Sequence, residues 1–350
     1  MTLITEGKIS IIAETKKIVD KKMPVFYNPV MIVNRDFSLL VIKALEKKDL
    51  IIGDVLAGSG IRTLRILKEL EPEIVKKIIV NDIKPSFEKN FKENLKINSL
   101  NEEKIIIKSE DANKVMNSEG HFDYIEIDPF GTPNPFLDTS IRALKRNGIL
   151  SVTATDTSSL CGSYPSACLR KYWAKPLRNE LMHEFATRIL IRKIQLLGAQ
   201  HEKALTPLVS YATDHYIKVF FQSINNKTDA DKLLKQHQYY EEAGPIFLGP
   251  IQNETFIKKM SESTNIMTLS TKTLKLLDTL IEESKIKEPF FYDLHEIASK
   301  EKTTTIPRKE NMIKKLKEKK YEATKTHFNE HGIKTNANKK EFMKLFKKLI

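Results

Sequence analysis

The segment YIEIDPFGTPNPF (Tyr124–Phe136) begins with an apolar run. This run ends in an acidic residue, which a proline and an aromatic residue follow. The acid is Asp128, and Pro129 and Phe130 follow it directly. A carboxylate oxygen and a proline-fixed carbonyl can accept the hydrogens of an exocyclic amine, and an aromatic side chain can stack on the ring that bears it. The carboxylate can also take up the proton released when that amine is alkylated. The triplet therefore predicts a catalytic site for the amine of a nucleobase; the alternative is a turn in which Asp128 caps the strand and Phe130 packs in the core.

A glycine turn follows an earlier apolar run, in the order Asp54-Val-Leu-Ala-Gly58-Ser-Gly60. Glycine permits a tight turn and lets a ligand approach the backbone closely. A dinucleotide-binding turn would read GxGxxG, with glycines placed for a pyrophosphate and for helix packing. The order D-x-x-x-G-x-G is instead the layout of sheets that bind S-adenosylmethionine, which has no pyrophosphate. The turn favours S-adenosylmethionine over a nicotinamide cofactor, with Asp54, Gly58 and Gly60 as cofactor-binding residues.

Acidic residues also end the next two apolar runs. Asp82 closes KKIIVND, 22 residues after Gly60, where a carboxylate suits the hydroxyls of a ribose. Asp111 and Ala112 follow KIIIKSE and are expected to meet the adenine amino group. Consecutive strands thus end in groups that fit a nucleoside cofactor beside its substrate.

Short apolar runs alternate with amphipathic segments from Leu50 onward. This alternation predicts an α/β fold with a doubly wound, mostly parallel sheet, completed by paired strands within LTPLVSYATDHYIKVFFQS. We predict a cofactor-binding and catalytic domain over 1–224, a polar linker over 225–243, and a smaller, basic α+β domain over 244–350. The helices of the last domain, together with ATKTHFNEHGIKTNA, favour a winged-helix-like module.

The charge is distributed unevenly over the 350 residues. Of a net charge of +13, residues 307–350 contribute fourteen Lys and Arg against five Glu and no Asp. Such a concentration favours a polyanionic partner bound through its phosphates; a lysine-rich proteome is the alternative explanation. No apolar run reaches the roughly 18 residues of a membrane span, and Cys161 and Cys168 have neither disulfide-framework nor metal-ligand spacing. We expect a cytoplasmic monomer without a structural metal or a membrane span.

The motifs belong to a longer series of sequence blocks. In chain order the series is VFYNPVMIVNRDFSLL, DVLAGSGIR, VND, DYIEIDPFGTPNPFLDTSIRAL, LSVTATDTSSLCG, ACLRKYWAKPLRNELMHEFATRILI, LVSYATDHYIKV, GPIFLGPI and YEATKTHFNEHGIKTNA. Together these blocks resemble the tRNA (guanine-26, N2)-dimethyltransferase family in its archaeal form. The resemblance implies a class I S-adenosylmethionine-dependent methyltransferase domain with a C-terminal tRNA-binding domain. It also implies the transfer of two methyl groups to N2 of guanosine 26 in tRNA.

Roles for individual residues also follow from the resemblance. The cofactor contacts that it implies are Arg35, Arg62, Asp82, Asp111 and Ala112. It further implies that Asp128 is the catalytic acid, that Phe130 stacks on the base, and that Phe26 forms a second aromatic wall. In physical terms, Arg35 and Arg62 could clamp the carboxylate of the cofactor's methionine part through paired donors.

One departure from the family pattern lies around GPIFLGPI. Many members carry a cysteine cluster with zinc-ligand spacing just before this block. This chain has no cysteine in NKTDADKLLKQHQYYEEAGPIFLGP. A four-cysteine zinc site therefore cannot form there.

Two other functions are compatible with the motifs. Methylation of adenine N6 or cytosine N4 would use a related acid-Pro-Pro-aromatic motif, and the single proline between Asp128 and Phe130 argues against it. An RNA-binding protein without catalytic activity could retain the fold, and the intact Asp128, Asp82 and glycine turn argue against that reading.

Three further features of the sequence bear on the site, and the first two of them stay open. Asp156, in TATDT, either faces the substrate pocket or closes a turn. The segment CLRKYWAKPLRNE, with Arg170, Tyr172 and Trp173, is either an RNA-binding surface or a solvated face with packed aromatics. Cys161 is not expected to act as a nucleophile, because an exocyclic amine is itself the nucleophile.

Overall fold

A computed structural model describes residues 2–14, 25–213 and 215–350. The chain begins with a hairpin of β1 (Thr2–Glu6) and β2 (Ile9–Ala13), and helix α1 (Ile32–Ala44) follows. All of α1 except its first residue and Lys43 is buried, in agreement with its apolar sequence. Helix α1 is therefore part of the core.

Strands and helices then alternate, as predicted. The elements are β3 (Leu50–Asp54), α2 (Ile61–Glu69), β4 (Val75–Asn81), α3 (Phe87–Ile97), β5 (Ile105–Lys108), α4 (Ala112–Glu119), β6 (Phe122–Ile127), α5 (Asn134–Ala143), β7 (Leu144–Ala154), α6 (Thr157–Leu160), α7 (Pro165–Tyr172), α8 (Met182–Ala199), β8 (Lys203–Thr213) and β9 (Tyr216–Asn225). Helix α5 ends five residues before the glycine stop at Gly148 that the sequence suggests, because Leu144 already pairs with Phe122 of β6.

The seven strands from β3 to β9 form one sheet in the order β5-β4-β3-β6-β7-β9-β8. The five strands β3 to β7 are parallel to one another. The long hairpin of β8 and β9 adds two strands beside β7, and β9 is antiparallel to both β7 and β8. The predicted doubly wound, mostly parallel sheet and its terminal strand pair are confirmed. The strand order reverses between β3 and β6, so their carboxyl ends border the crevice where such sheets bind ligands.

A second group of elements follows the sheet. They are α9 (Lys227–Leu234), β10 (His237–Tyr240), β11 (Ala243–Phe247), α10 (Glu254–Glu262), α11 (Thr271–Ser284), β12 (Tyr292–Asp293), α12 (Leu294–Lys300), α13 (Lys309–Glu318), β13 (Ala323–Lys325), β14 (Gly332–Thr335) and α14 (Lys339–Leu349). Strands β12, β14 and β13 form an antiparallel sheet in that order. Helix, strand, two helices and a two-stranded ribbon follow one another from α11 to β14, which is the winged-helix order predicted from the sequence.

Residues 225–243, predicted to be a linker, have regular structure. They contain α9, which Asn226 caps by accepting hydrogen bonds from Thr228 N and Asp229 N, and β10. His237 on β10 lies 2.8 Å from Gln195 of α8. This segment therefore packs against α8, and a domain boundary at residue 244 stays a prediction.

A buried ion cluster joins the later elements to the first helices. Asp36 on α1 accepts hydrogen bonds from Arg65 of α2 at 2.6 Å, from Ser270 N at 2.9 Å and from the Thr273 hydroxyl at 2.6 Å. All four groups lie away from solvent, apart from the partly buried Ser270. Buried charges of this kind are stable only when they are paired and hydrogen-bonded, so the cluster fixes α11 against α1 and α2.

Candidate active site at the carboxyl ends of the central strands

The glycine turn after β3 is built as its sequence requires. Gly58 has a φ of 59° and Gly60 a φ of 73°, in the left-handed region that favours glycine. A Cβ on Gly60 would lie 2.2 Å from the ring of Phe91, so no other residue fits there without displacing that ring. The buried carboxylate of Asp54 accepts the Thr63 hydroxyl of α2 at 2.8 Å. Asp54 thus links the end of β3 to α2 from the buried side of the turn.

Asp82 joins the end of β4 to this turn. One carboxylate oxygen accepts Gly58 N at 2.9 Å, and the other accepts Lys84 N at 3.1 Å. The neighbouring Asn81, which sequence reasoning passed over, hydrogen-bonds Val55 O at 3.0 Å and both backbone groups of Glu110 at 3.0 and 3.1 Å. Asn81 therefore holds the ends of three strands at a fixed spacing.

Asp111 and Ala112 lie at the start of α4, one strand farther along the sheet. One oxygen of Asp111 accepts Asn113 N at 2.9 Å and Lys114 N at 3.1 Å, which makes it the N-cap of the helix. Asp111 is exposed and Ala112 is buried. The exposed carboxylate retains its second oxygen for a donor from outside the protein.

Two aromatic rings meet over the glycine turn. The rings of Phe26 and Phe130 lie with their centroids 4.4 Å apart, at 71°, an edge-to-face pair. A Cβ on Gly58 would lie 3.3 Å from the Phe26 ring, so this ring covers the turn. Phe130 keeps 51% of its surface exposed. Two regions that the sequence separates by a hundred residues therefore form one site, and Phe130 is not a core residue as the turn alternative required.

Asp128 is held by an arginine. Arg62 Nη2 lies 2.5 Å from Asp128 Oδ2, and Nη1 donates to Asn34 Oδ1 at 2.9 Å and Ser38 Oγ at 2.6 Å. Burial alone would lower the pKa of Arg62, but Glu126 and Asp128 outweigh this effect and raise it above its ordinary value. Arg62, predicted to contact the cofactor, is thus a buried cation that orients the predicted catalytic carboxylate.

Arg62 also belongs to a buried network of charged residues on β6 and β9. Glu126 of β6, 1% exposed, receives hydrogen bonds from Lys218 of β9, from the Tyr124 hydroxyl at 2.6 Å and from Ser151 Oγ at 3.0 Å, and lies 3.3 Å from Arg62 Nη1. Burial would raise the pKa of Glu126, and Arg62 and Lys218 outweigh it, so its pKa lies below the ordinary value. Sequence reasoning missed Glu126 and Lys218. Their signal was a charged residue between apolar neighbours inside a strand, in YIEID and YIKVFF.

Arg35 is engaged elsewhere. Its Nε and Nη2 form a bidentate pair with Glu6 of β1 at 2.7 and 2.5 Å, and Nη2 also donates to Asn28 O at 3.1 Å. Burial would raise the pKa of Glu6, and Arg35 with Arg65 outweighs it, so the pKa of Glu6 is lowered. Arg35 is buried, and the partner of its guanidinium is Glu6. Its guanidinium anchors the amino-terminal hairpin to α1.

The loop after Phe130 is pinned from the next strand end. Gly131 N donates to Thr155 Oγ1 at 2.6 Å, and Thr155 N donates to Gly131 O at 2.9 Å. The Tyr172 hydroxyl donates to Asp156 Oδ1 at 2.6 Å and lies 3.0 Å from Thr132 Oγ1. Asp156 therefore positions the loop through Tyr172 and does not present its carboxylate freely to a substrate.

Cys161 has no nucleophilic character. The thiol is buried, and burial raises its pKa to about 11. It is therefore protonated at neutral pH, whereas a reactive cysteine needs its thiolate. This agrees with the expectation that no covalent protein intermediate forms.

Comparison with known proteins assigns the chain to a family. A sequence profile described as N2,N2-dimethylguanosine tRNA methyltransferase matches residues 7–242 and 236–347. The chain belongs to this family. The family predicted from the sequence blocks is therefore confirmed.

Several named methyltransferases of the family align with this chain over nearly its full length. The tRNA (guanine(26)-N(2))-dimethyltransferase of Methanocaldococcus jannaschii is 37% identical over 97% of this chain and 96% of its own. That of Pyrococcus furiosus is 38% identical over 99% of this chain and 98% of its own. The tRNA (guanine(26)-N(2)/guanine(27)-N(2))-dimethyltransferase of Aquifex aeolicus is 35% identical over 100% of this chain and 96% of its own.

A solved structure of a methyltransferase of this family has the same fold. Trm1 from Pyrococcus horikoshii, in complex with S-adenosyl-L-methionine, superposes with a TM-score of 0.89 at 34% identity, over 99% of both chains. The class I methyltransferase fold with a C-terminal domain is thereby confirmed. In the described parts of this chain, no helix is long and apolar enough to cross a membrane, and no three His, Cys, Asp or Glu side chains form a metal-binding group.

Proposed function

We propose that the chain transfers methyl groups from S-adenosyl-L-methionine to the N2 amine of guanosine 26 in tRNA, giving first N2-methylguanosine and then N2,N2-dimethylguanosine. Membership of the family and full-length similarity to enzymes named for this reaction support the proposal. The observation that carries it is the placement of Asp128 beside the Phe26–Phe130 ring pair, at the crevice between β3 and β6. The carboxylate can accept a hydrogen bond from the exocyclic amine of a guanine, and the aromatic ring can stack on its base.

The acceptors at the strand ends fit S-adenosylmethionine. Asp82 and Asp111 present carboxylate oxygens at two successive strand ends, on the β4 and β5 side of a turn whose glycines admit a close ligand. Each carboxylate oxygen has two lone pairs, so both residues can accept further hydrogen bonds from ribose hydroxyls or an adenine amine. When bound there, S-adenosylmethionine supplies an electrophilic methyl group on a sulfonium.

Asp128 and Pro129 are proposed to aim the substrate amine. Arg62 occupies Asp128 Oδ2, which leaves Oδ1 as the acceptor for one N–H of the guanine amine. The carbonyl of Pro129 would accept the second N–H, so that the nitrogen lone pair points away from both acceptors. Fixing this geometry is the main catalytic effect that the site offers, and Asp128 can take the proton that each transfer releases.

The ring pair is proposed to hold the target base. Phe130, half exposed, offers a face on which an extruded guanine can stack, and Phe26 packs edge-on against Phe130 beside the glycine turn. For the second transfer, the monomethylated amine has one N–H left for a hydrogen bond. It must rotate so that its methyl group leaves the line of approach.

The finer features are proposed on the same basis. We propose a catalytic domain over 1–224 and a tRNA-binding domain over 244–350, in which the winged-helix elements carry much of the basic charge. We further propose that the protein acts as a monomer in the cytoplasm, without a metal.

The test is a methylation assay on the full chain. Unmodified tRNA with guanosine 26 is incubated with labelled S-adenosylmethionine, and the nucleosides are separated after digestion. We expect N2-methylguanosine and N2,N2-dimethylguanosine, no label in a tRNA with adenosine at position 26, and at least a 100-fold slower reaction in Asp128→Asn. Methyladenosine or methylcytidine would replace the proposed substrate, and absence of any labelled nucleoside would overturn the proposed activity.

A further inference from the structure

A patch of exposed apolar side chains, with one exposed and two more buried basic side chains next to it, lies beside the candidate active site. We call it the Trp173 surface; its members are Leu169, Arg170, Trp173, Arg192, Lys193 and Tyr239. Leu169, Trp173 and Tyr239 keep 59%, 44% and 67% of their surfaces exposed. Exposed apolar side chains that are grouped in this way commonly mark a site of interaction.

Trp173 adopts a backbone conformation that is unfavourable for its residue type. It ends α7 with a φ of 57° and a ψ of 36°, in the left-handed region. A bulky residue rarely occupies that region, and glycine or asparagine is the ordinary choice at the end of a helix. Strained backbone of this kind is concentrated at functional sites. A ring that is nearly half exposed gains little from burial, so packing alone does not account for a tryptophan here.

Two cations beside Trp173 have no acidic partner among the residues that the structure describes. Lys193 Nζ lies 2.8 Å from the centroid of the Trp173 ring, and Lys193 as a whole is only 6% exposed. Arg192 donates to Trp173 O at 3.2 Å, and its Nε is buried without a hydrogen-bond partner in the described structure. No ion pair links either residue to a carboxylate of residues 2–14, 25–213 or 215–350.

The surroundings of Lys193 disfavour its charged form. Burial and the neighbouring Arg192 lower the pKa of Lys193 to about 8. Keeping a buried cation without a counter-charge is unfavourable, and a second cation beside it adds repulsion. An anion bound at this point would remove both penalties.

The Trp173 surface is connected to the loop that carries Asp128 and Phe130. Tyr172, the residue before Trp173, is buried and its hydroxyl lies 3.0 Å from Thr132 Oγ1. Asn134 Nδ2 donates to Lys171 O at 2.9 Å, on the same turn of α7. A polymer that presents a base to Phe130 therefore passes close to this surface.

We propose that the Trp173 surface binds the tRNA strand next to the target guanosine, with a neighbouring base stacked on Trp173 and a backbone phosphate held by Arg192 and Lys193. The inference rests on the proposed function and adds to it a second contact for the same substrate. Stacking on an aromatic ring combined with cations that follow the backbone is the usual means of holding an unpaired strand. The charge of the phosphate matches the two unpaired cations.

Three variants test the surface. Lys193→Met keeps the aliphatic stem on the Trp173 ring and removes the charge. Trp173→Gly removes the ring at a φ that glycine adopts freely, so the helix end is preserved. Lys47→Met is the matched control, because Lys47 is an exposed lysine before the amino end of β3, on the opposite edge of the sheet.

The measurements are the Kd for tRNA at several salt concentrations, kcat at saturating tRNA, and the Kd for S-adenosylmethionine. We expect about ten-fold weaker tRNA binding in Trp173→Gly and in Lys193→Met, with kcat and cofactor affinity within about two-fold of the parent. The slope of log Kd against log salt should fall by about one in Lys193→Met only. Parental tRNA affinity and salt slope in both variants would overturn the inference, whereas a parent chain that binds tRNA but forms no methylguanosine would overturn only the proposed function.

Discussion

Arg62 and Asp128 form a partly buried ion pair, with Nη2 and Oδ2 2.5 Å apart, at the end of a chain of charges that runs through Glu126 to Lys218. The pair joins the helix that follows the glycine turn of β3 to the loop after β6. The orientation of Asp128 therefore depends on a residue two positions beyond Gly60. The proposed cofactor and amine sites are thus connected through this pair.

The first prediction concerns this pair. Arg62→Lys keeps a positive charge but lacks the planar fork that reaches Asn34, Ser38 and Asp128 together, so kcat should fall about 100-fold. Arg62→Gln and Asp128→Asn should each be at least as slow, and their combination should be no slower than Asp128→Asn alone, because both changes remove one shared contact. Single-turnover rates measure this.

Arg142→Gln is the control: it breaks an exposed pair with Asp138 and should retain the parental rate. Additive effects of Arg62→Gln and Asp128→Asn would contradict the coupling.

The second prediction concerns Gly60. An alanine there would combine a φ of 73° with a Cβ 2.2 Å from the Phe91 ring, so Gly60→Ala should destabilise the fold by about 2–4 kcal/mol and weaken S-adenosylmethionine binding. Gly120→Ala is the control for cofactor binding: its φ of 42° with a ψ of 176° is also strained for alanine, but nothing lies within 4 Å of the added Cβ. That variant should lose about 1–3 kcal/mol through its backbone alone and bind the cofactor normally. Urea unfolding and calorimetric titration give both quantities. Parental cofactor affinity in Gly60→Ala would contradict the role of the turn.

The third prediction concerns pH and Asp54. Burial raises the pKa of Asp54 from 3.8 to about 6, although Arg62 and Thr63 oppose the shift. A carboxyl group whose pKa is higher in the folded state than in the unfolded state stabilises the fold fully below the lower value, and this contribution is lost as pH rises through the higher one. Compared with Asp54→Asn, the parent should therefore lose about 2 kcal/mol of unfolding free energy between pH 4 and pH 7. Urea unfolding of both proteins at each pH measures the difference, and parallel pH profiles would contradict the buried charge.

The fourth prediction concerns Tyr172, which positions the catalytic loop through Thr132. Burial and Asp156 raise the pKa of Tyr172 above its ordinary value, so its hydroxyl stays protonated and donates to Asp156. Tyr172→Phe removes only that hydroxyl. We expect a loss of about 1–2 kcal/mol of stability and about a ten-fold lower kcat, with tRNA affinity unchanged.

Rates for Tyr172→Phe are to be normalised to the fraction of protein that binds S-adenosylmethionine, so that partial unfolding does not lower them. Tyr164→Phe, at a tyrosine that is 64% exposed, serves as the control and should behave as the parent. A parental normalised kcat in Tyr172→Phe would limit the hydroxyl to a structural role.

The periodic part of the fold was predictable from sequence because its signals are local. Apolar runs of strand length, each followed by an amphipathic helix, identify β3 to β7 with their carboxyl ends at one edge of the sheet. The acids and glycines after these runs therefore had to gather at that edge. The positions of Gly58, Asp82 and Asp128 follow from this argument alone.

The partners of the charged residues could not be predicted in the same way. Arg35 pairs with Glu6 and Glu126 with Lys218, and these residues are 29 and 92 positions apart. Such pairs depend on which side chains the tertiary fold brings together, and the spacing of residues in the sequence does not predict them. Residues 225–243 illustrate the same limit: their polar composition suggested a linker, yet capping by Asn226 and packing against α8 give them regular structure.

The buried cluster around Asp36 affects how the protein can be dissected. Removal of residues 244–350 would take away Ser270 and Thr273, and with them two of the hydrogen bonds that neutralise Asp36 inside the core. The remaining half would contain a buried carboxylate with fewer partners and a bare face on α1. The two halves are therefore interdependent folding units, and the proposed RNA binding by the basic C-terminal region is better tested by neutralising its lysines in the intact chain than by truncation.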